Sequence, residues 1–169
     1  MRRPSSLVVV VLGGCGAAAV SPGPVGNAAP APAMVPATGH IVLDGCAIDF
    51  PDAPERGRDG EVATAALITA TATWILRAET GPVLEGIDVD SFLVTRLSAL
   101  AQQTTLETVD APPPGPLRGY DIHGTVDGAP AWTTLRYAPA TGVVCTASMI
   151  GASDAAGRRA FLGSIVIGP

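Results

Sequence analysis

The residues of this chain best suited to chemistry are Cys15, Cys46, Cys145, His40 and His123. A thiolate beside an imidazole can hold zinc or attack an electrophile. Cys46, Cys145 and His123 would be the members of such a set. Their spacing contains no CxxC and no HExxH, so sequence order does not assemble them, and neither a metal site nor a catalytic residue is expected. His40 reads as a solvated residue. His123 reads as part of a polar strand face with Asp121 and Thr125. Asp88 and Asp90 form an acidic pair, but helix capping accounts for them. Ser148 lacks a G-x-S-x-G setting. Trp74 and Trp132 can stack on a sugar or lipid; core or sheet-face packing is their plainer use. Asp44-Gly45, Asp59-Gly60 and Asp127-Gly128 are turn signals without the twelve-residue ligand pattern of a calcium loop.

Charge removes further classes. All ten basic residues are Arg, which excludes a phosphate-loop lysine, a Schiff base and a Ser-Lys dyad. Fifteen acids give a net charge of -5, the opposite of a nucleic-acid footprint. No cofactor is implied.

The N-terminus carries an address. Arg2 and Arg3 precede the apolar run Leu7 to Leu12, and Gly13 and Gly14 precede Cys15. A basic start, a short apolar run and small residues form a secretory signal. Six residues span about 9 Å as a helix, against roughly 30 Å for a bilayer. The run Leu12-Gly13-Gly14-Cys15 resembles the lipobox of bacterial lipoproteins. That resemblance implies a diacylglyceryl group on the Cys15 sulfur, cleavage just before it, and a place on the outer side of the cell membrane or in an outer membrane. The alternative is an ordinary signal cut near Ala17 to Ala19. Loss of residues 1–14 removes Arg2 and Arg3 and no acid, taking the net charge from -5 to about -7.

Export bears on the remaining cysteines. An even pair in an oxidising compartment predicts a Cys46–Cys145 disulfide between the first strand and the last meander strand. Closing about 100 residues contributes roughly 4 to 5 kcal/mol through loop entropy. Two buried thiols are the alternative.

Residues 16–38 hold five prolines, three glycines and no charge. No helical or strand period survives there, so the stretch reads as a disordered, semi-extended tether. The division is thus 1–14 signal, 15–38 lipidated cysteine and linker, and 39–169 one α+β domain.

That domain alternates clear signals. His40 to Phe50 reads as a strand and Pro51 to Gly60 as a polar loop. Glu61 to Thr80 reads as one bent strand or two. Asp88 to Gln103 reads as a helix, with Asp88 or Asp90 as cap and Val89, Phe92, Leu93, Leu97, Leu100 and Ala101 on its apolar face. Leu106 to Val109 is a further strand. Leu117 to Val126, Ala131 to Tyr137 and Val143 to Ile150 form a meander with a hairpin at Asp127-Gly128. Ser153 caps a closing helix to about Leu162, with Arg158 and Arg159 near its end. Ser164 to Ile167 is a short strand or tail. The expectation is an antiparallel sheet of about five to seven strands with two helices packed on it.

Gly119-Tyr120, Gly124, Asp127-Gly128 and Phe161-Leu162-Gly163-Ser164 occur in an order that resembles the C-terminal half of Mog1/PsbP-like domains. The resemblance implies a binding or assembly module and assigns no site residues. The leading expectation is therefore a membrane-tethered envelope protein that binds a protein partner. The alternatives are a carrier of a small apolar ligand between helices and sheet, and a hydrolase with an unrecognised site.

Overall fold

A computed structural model describes residues 39–112 and 115–168. Its elements run β1 (Gly39–Leu43), β2 (Cys46–Phe50), β3 (Glu55–Asp59), β4 (Val62–Ile68), β5 (Ala72–Thr80), α1 (Ile87–Ala101), β6 (Thr105–Asp110), β7 (Arg118–Val126), β8 (Ala129–Ala138), β9 (Val143–Gly151), α2 (Ala155–Gly163) and β10 (Val166–Ile167). Seven strands form an antiparallel sheet in the order β3-β4-β5-β9-β8-β7-β6, and β1-β2-β10 form a second, smaller sheet. The α+β architecture with two helices and a mostly antiparallel sheet is the expected one.

Turn chemistry explains where the strands break. Asp44 and Gly45 both have positive φ, at 41° and 85°. That geometry suits a two-residue hairpin, so the expected single strand 40–50 folds back into β1 and β2, with Leu43 opposite Cys46. Asp127 and Gly128 do the same between β7 and β8, as their sequence indicates. The 61–80 stretch breaks without Gly or Pro. There Thr69 Oγ1 accepts from the Ala72 amide at 3.0 Å, a side-chain turn that replaces a ladder bond.

Four further sequence expectations need correction. Glu55 to Asp59 is a strand and not a loop; every residue is exposed, so no apolar alternation marks it. Its charges suit an edge strand, because they discourage pairing with another chain. The cap of α1 is Gly86, with no side-chain cap bond; Asp88 and Asp90 lie inside the first turn, where they favour the dipole. The cap of α2 is Asp154, not Ser153: the Asp154 carboxylate accepts from the Gly157 amide at 2.7 Å. Arg158 and Arg159 lie in the middle of that helix, and its last turn holds no base.

The large sheet is covered differently on its two faces. On one face β1, β2 and α2 close a core of Ile48, Phe50, Trp74, Leu76, Met149 and Phe161. Phe161 meets Phe50 and Trp74 edge-on, at 5.1 and 5.2 Å between centroids. Cys46 and Cys145 form a disulfide across this core, with Cα atoms 5.8 Å apart. It ties β2 to β9, the second strand to the ninth, because the first predicted strand is a hairpin. On the opposite face Val89, Phe92 and Leu93 of α1 pack on Leu135, Tyr137 and Val144. The buried Tyr137 hydroxyl donates to the Pro82 carbonyl. Burial raises its pKa above the ordinary 10.0, so it remains a protonated donor.

The disulfide closes a 99-residue separation. Replacing both cysteines by alanine is expected to lower unfolding free energy by about 3 to 5 kcal/mol. Urea unfolding of the oxidised protein and the double variant measures the difference.

Candidate functional site

Two concavities flank the sheet, one on each face. The first is a groove of about 470 Å³ where β6, β7 and β8 extend beyond the cover of β1 and β2 and run beside α2. Strand register builds it. Trp132 lies opposite His123, and Asp121 lies opposite both Thr134 and Asp110. These side chains therefore share the face that carries the disulfide core.

Several polar groups of this groove satisfy one another, whereas Asp110 and Arg159 line it without a side-chain partner among the described residues. Arg136 Nη2 donates to both Asp121 oxygens at 2.7 and 2.9 Å, and its Nη1 donates to the Tyr120 and Leu135 carbonyls at 3.1 and 3.0 Å. Thr134 donates to the same carboxylate at 2.9 Å. The Arg136 side chain is 15% exposed and that of Asp121 is 45% exposed, so the pair is half-desolvated. His123 stacks on Trp132 at 5.0 Å, and its Nδ1 is 3.2 Å from Glu107. Arg158 of α2 lies over the same indole, 4.1 Å from the centroid. The stacking capacity of Trp132 is thus largely engaged within the protein.

The other sequence candidates are placed as follows. Cys46 and Cys145 are consumed in the disulfide, so neither supplies a thiolate to His123. Ser148 shares a hydrogen bond of 2.9 Å with Thr133. His40 is exposed and pairs with Asp49 at 2.7 Å. Trp74 is a core residue. Asp90 reaches Arg118 at 3.3 Å across the surface. Cys15 lies outside the described residues. Among those residues, no three His, Cys, Asp or Glu side chains gather as a metal-binding set.

The second concavity lies between α1 and the sheet, at a place the sequence does not single out. The apolar face expected for α1 is buried only at Val89 and Leu93. Leu97 and Leu100 are half-buried and Ala101 is exposed. The C-terminal half of the helix covers a cleft of about 330 Å³ instead of a packed core. Its floor combines Ile75, Ala131 and Ile150 with the hydroxyls of Thr133, Thr146 and Ser148. One side is closed by Arg96 of α1, bonded to Glu79 of β5 at 2.9 Å. The available sequence signal was the run of hydroxyl residues on central strands, at positions that face a helix. Polar side chains there cannot supply the apolar surface that would draw the helix down.

No protein-family model matches this chain, and no curated protein matches it.

The Asp121–Arg136 pair generates a stability test. Asp121→Ala leaves a mostly buried guanidinium short of its carboxylate and is expected to cost about 1 to 3 kcal/mol, the half-exposed acid keeping it below a fully buried pair. Adding Arg136→Met is expected to restore part of that loss. Urea unfolding of both variants checks the order.

Proposed function

We propose that this chain is an exported, lipid-anchored protein of a bacterial envelope, and that its folded domain is a binding module with no chemistry of its own. The disulfide carries the argument for export. A buried bridge between distant strands suits an oxidising compartment and is rare where thiols are kept reduced. The leader and the Leu12-Gly13-Gly14-Cys15 run supply the means: an export signal followed by a sulfur for lipidation. A single acyl chain holds a protein only marginally, whereas two hold it stably. A diacylglyceryl group on Cys15 therefore suffices as an anchor. Among the described residues, no helix is long and apolar enough to cross a membrane. Residues 16–38 then act as the spacer between anchor and domain, at roughly 3 Å per residue if extended.

Two binding modes follow from the sequence, a protein partner and a small ligand. The cleft under α1 favours the small ligand. It lies between helix and sheet, and its volume of about 330 Å³ falls in the range of small-molecule sites. A protein partner is the second reading. It is favoured by an apolar ledge at one end of the domain that includes Val83, Pro116, Pro139 and Ala140, with Val83 well exposed.

The intact mass of the membrane-extracted protein tests the anchor. The expected mass begins at Cys15, carries acyl chains, and shows no free thiol under denaturing, non-reducing alkylation. Cys15→Ser is expected to release the protein into the soluble fraction. A soluble, unacylated native product with two free thiols overturns the reading.

A further inference from the structure

We infer that the cleft beneath α1 is a site for a single-chain amphiphile with an anionic head, held at Arg77. This rests on reading the domain as a ligand-binding module and adds the ligand's class. The argument begins with the register of the sheet. Arg77 of β5 lies opposite Thr146 of β9, which lies opposite Leu135 of β8. One pleat further along, Ile75, Ser148 and Thr133 form the next row. The row after that holds Ile150 and Ala131, and Val126 lines the far end. Rows on one face are spaced by two residues, roughly 7 Å, so the Ile150–Ala131 row lies about 14 Å along the strands from that of Arg77, and Val126, opposite Ala129, lies one row further.

This track is polar at one end and increasingly apolar at the other. At the polar end the charges do not cancel. Glu79 is bonded to Arg96 at 2.9 Å. Arg77 has no carboxylate partner among the described residues, which leaves the cleft one net positive charge. A guanidinium offers paired donors suited to a carboxylate or phosphate. Toward the other end the lining includes Ala131, Ile150 and Val126 from the sheet and Leu100 from α1, with Gln103 and Thr104 beside them. Thr133 and Ser148 satisfy each other between the ends, so an alkyl chain crossing them leaves neither hydroxyl without a partner. The cleft volume, about 330 Å³, suits one chain and not the paired tails of a bilayer phospholipid.

The test uses the full exported chain carrying Cys15→Ser, with its disulfide intact, and decanoate as the probe. Amide shifts are followed by NMR below the concentration at which decanoate aggregates. Shifts are expected at Ile75, Leu100, Thr133 and Ser148. Arg77→Gln is expected to weaken decanoate about five- to tenfold, while Arg77→Lys keeps most of the affinity and decanol binds both alike. Ala99→Trp, a change at an exposed helix position lining the cleft, is expected to abolish binding of both probes. Vesicles of anionic two-chain phospholipid are expected to leave the cleft amides unmoved.

Several outcomes overturn the proposal. One is no shift in the cleft. Another is a set of shifts around Trp132 and Arg158, which moves the site to the other face. Binding seen only after deletion of residues 16–38 makes the tether the occupant. Equal decanoate binding by Arg77→Gln removes the anionic head from the assignment. The intact-mass experiment reports on the anchor separately, so loss of one reading is distinguishable from loss of the other.

Discussion

β9 must satisfy both faces of the large sheet at once. Pleating sends Cys145, Ala147 and Met149 to one side and Val144, Thr146, Ser148 and Ile150 to the other. The first set is small or apolar and is covered completely. The disulfide from Cys145 to Cys46 fixes the small sheet against it, and Phe161 of α2 fills the space beside Trp74. The second set begins with one apolar residue, Val144, and then offers two hydroxyls. A helix laid on that side packs closely under its first two turns, on Leu135, Tyr137 and Val144, while further along hydroxyls interrupt the apolar surface of Ile75 and Ile150. The cross-linked face and the loosely covered face thus follow from one strand of alternating chemistry.

The difference propagates into α1 itself. Val89, Phe92 and Leu93 reach Leu135, Tyr137 and Val144, and this end of the helix is held by close packing. Beyond Leu93 the main tie is the Arg96–Glu79 bond, whose partners are partly exposed, and such pairs contribute little. Thr95 and Ser98 also turn their hydroxyls back to the carbonyls four residues earlier, at 3.0 and 2.9 Å. Such bonds slightly weaken and bend a helix. The groove on the opposite face is built on the contrary principle. There Arg136, Asp121 and Thr134 form a closed set, and His123 and Arg158 occupy Trp132. In that groove the central polar groups are engaged with one another, while Arg77 in the cleft under α1 has no carboxylate partner among the described residues.

Much of the fold was legible because local signals agreed with the final packing. The Asp127-Gly128 hairpin, the alternation of β7 to β9 and the apolar spacing of α1 all stand in the sequence. Asp44-Gly45 carries the same turn signal, but the apolar residues on both sides of it make His40 to Phe50 read as one strand. β3 was illegible because alternation reports a buried face and this edge strand has none. The break at Thr69 depends on a side-chain hydrogen bond that composition does not reveal. Pairing Cys46 with Cys145 needed only that two cysteines lie beyond the N-terminal segment that carries Cys15. The cleft was harder. Sequence spacing defines which residues of α1 are apolar, but not how far along the helix the sheet can meet them. That depends on cross-strand register, which sets Thr133, Thr146 and Ser148 side by side.

Native-state hydrogen exchange read residue by residue tests the asymmetry of the two faces most directly. Amides of Leu76, Leu135 and Ala147 are expected to exchange only with global unfolding. Those of Leu97 to Ala101 are expected to exchange through a local opening about 2 kcal/mol or more below that limit. Equal protection along the whole of α1, matching the central strands, would contradict a cleft held open beneath its C-terminal half.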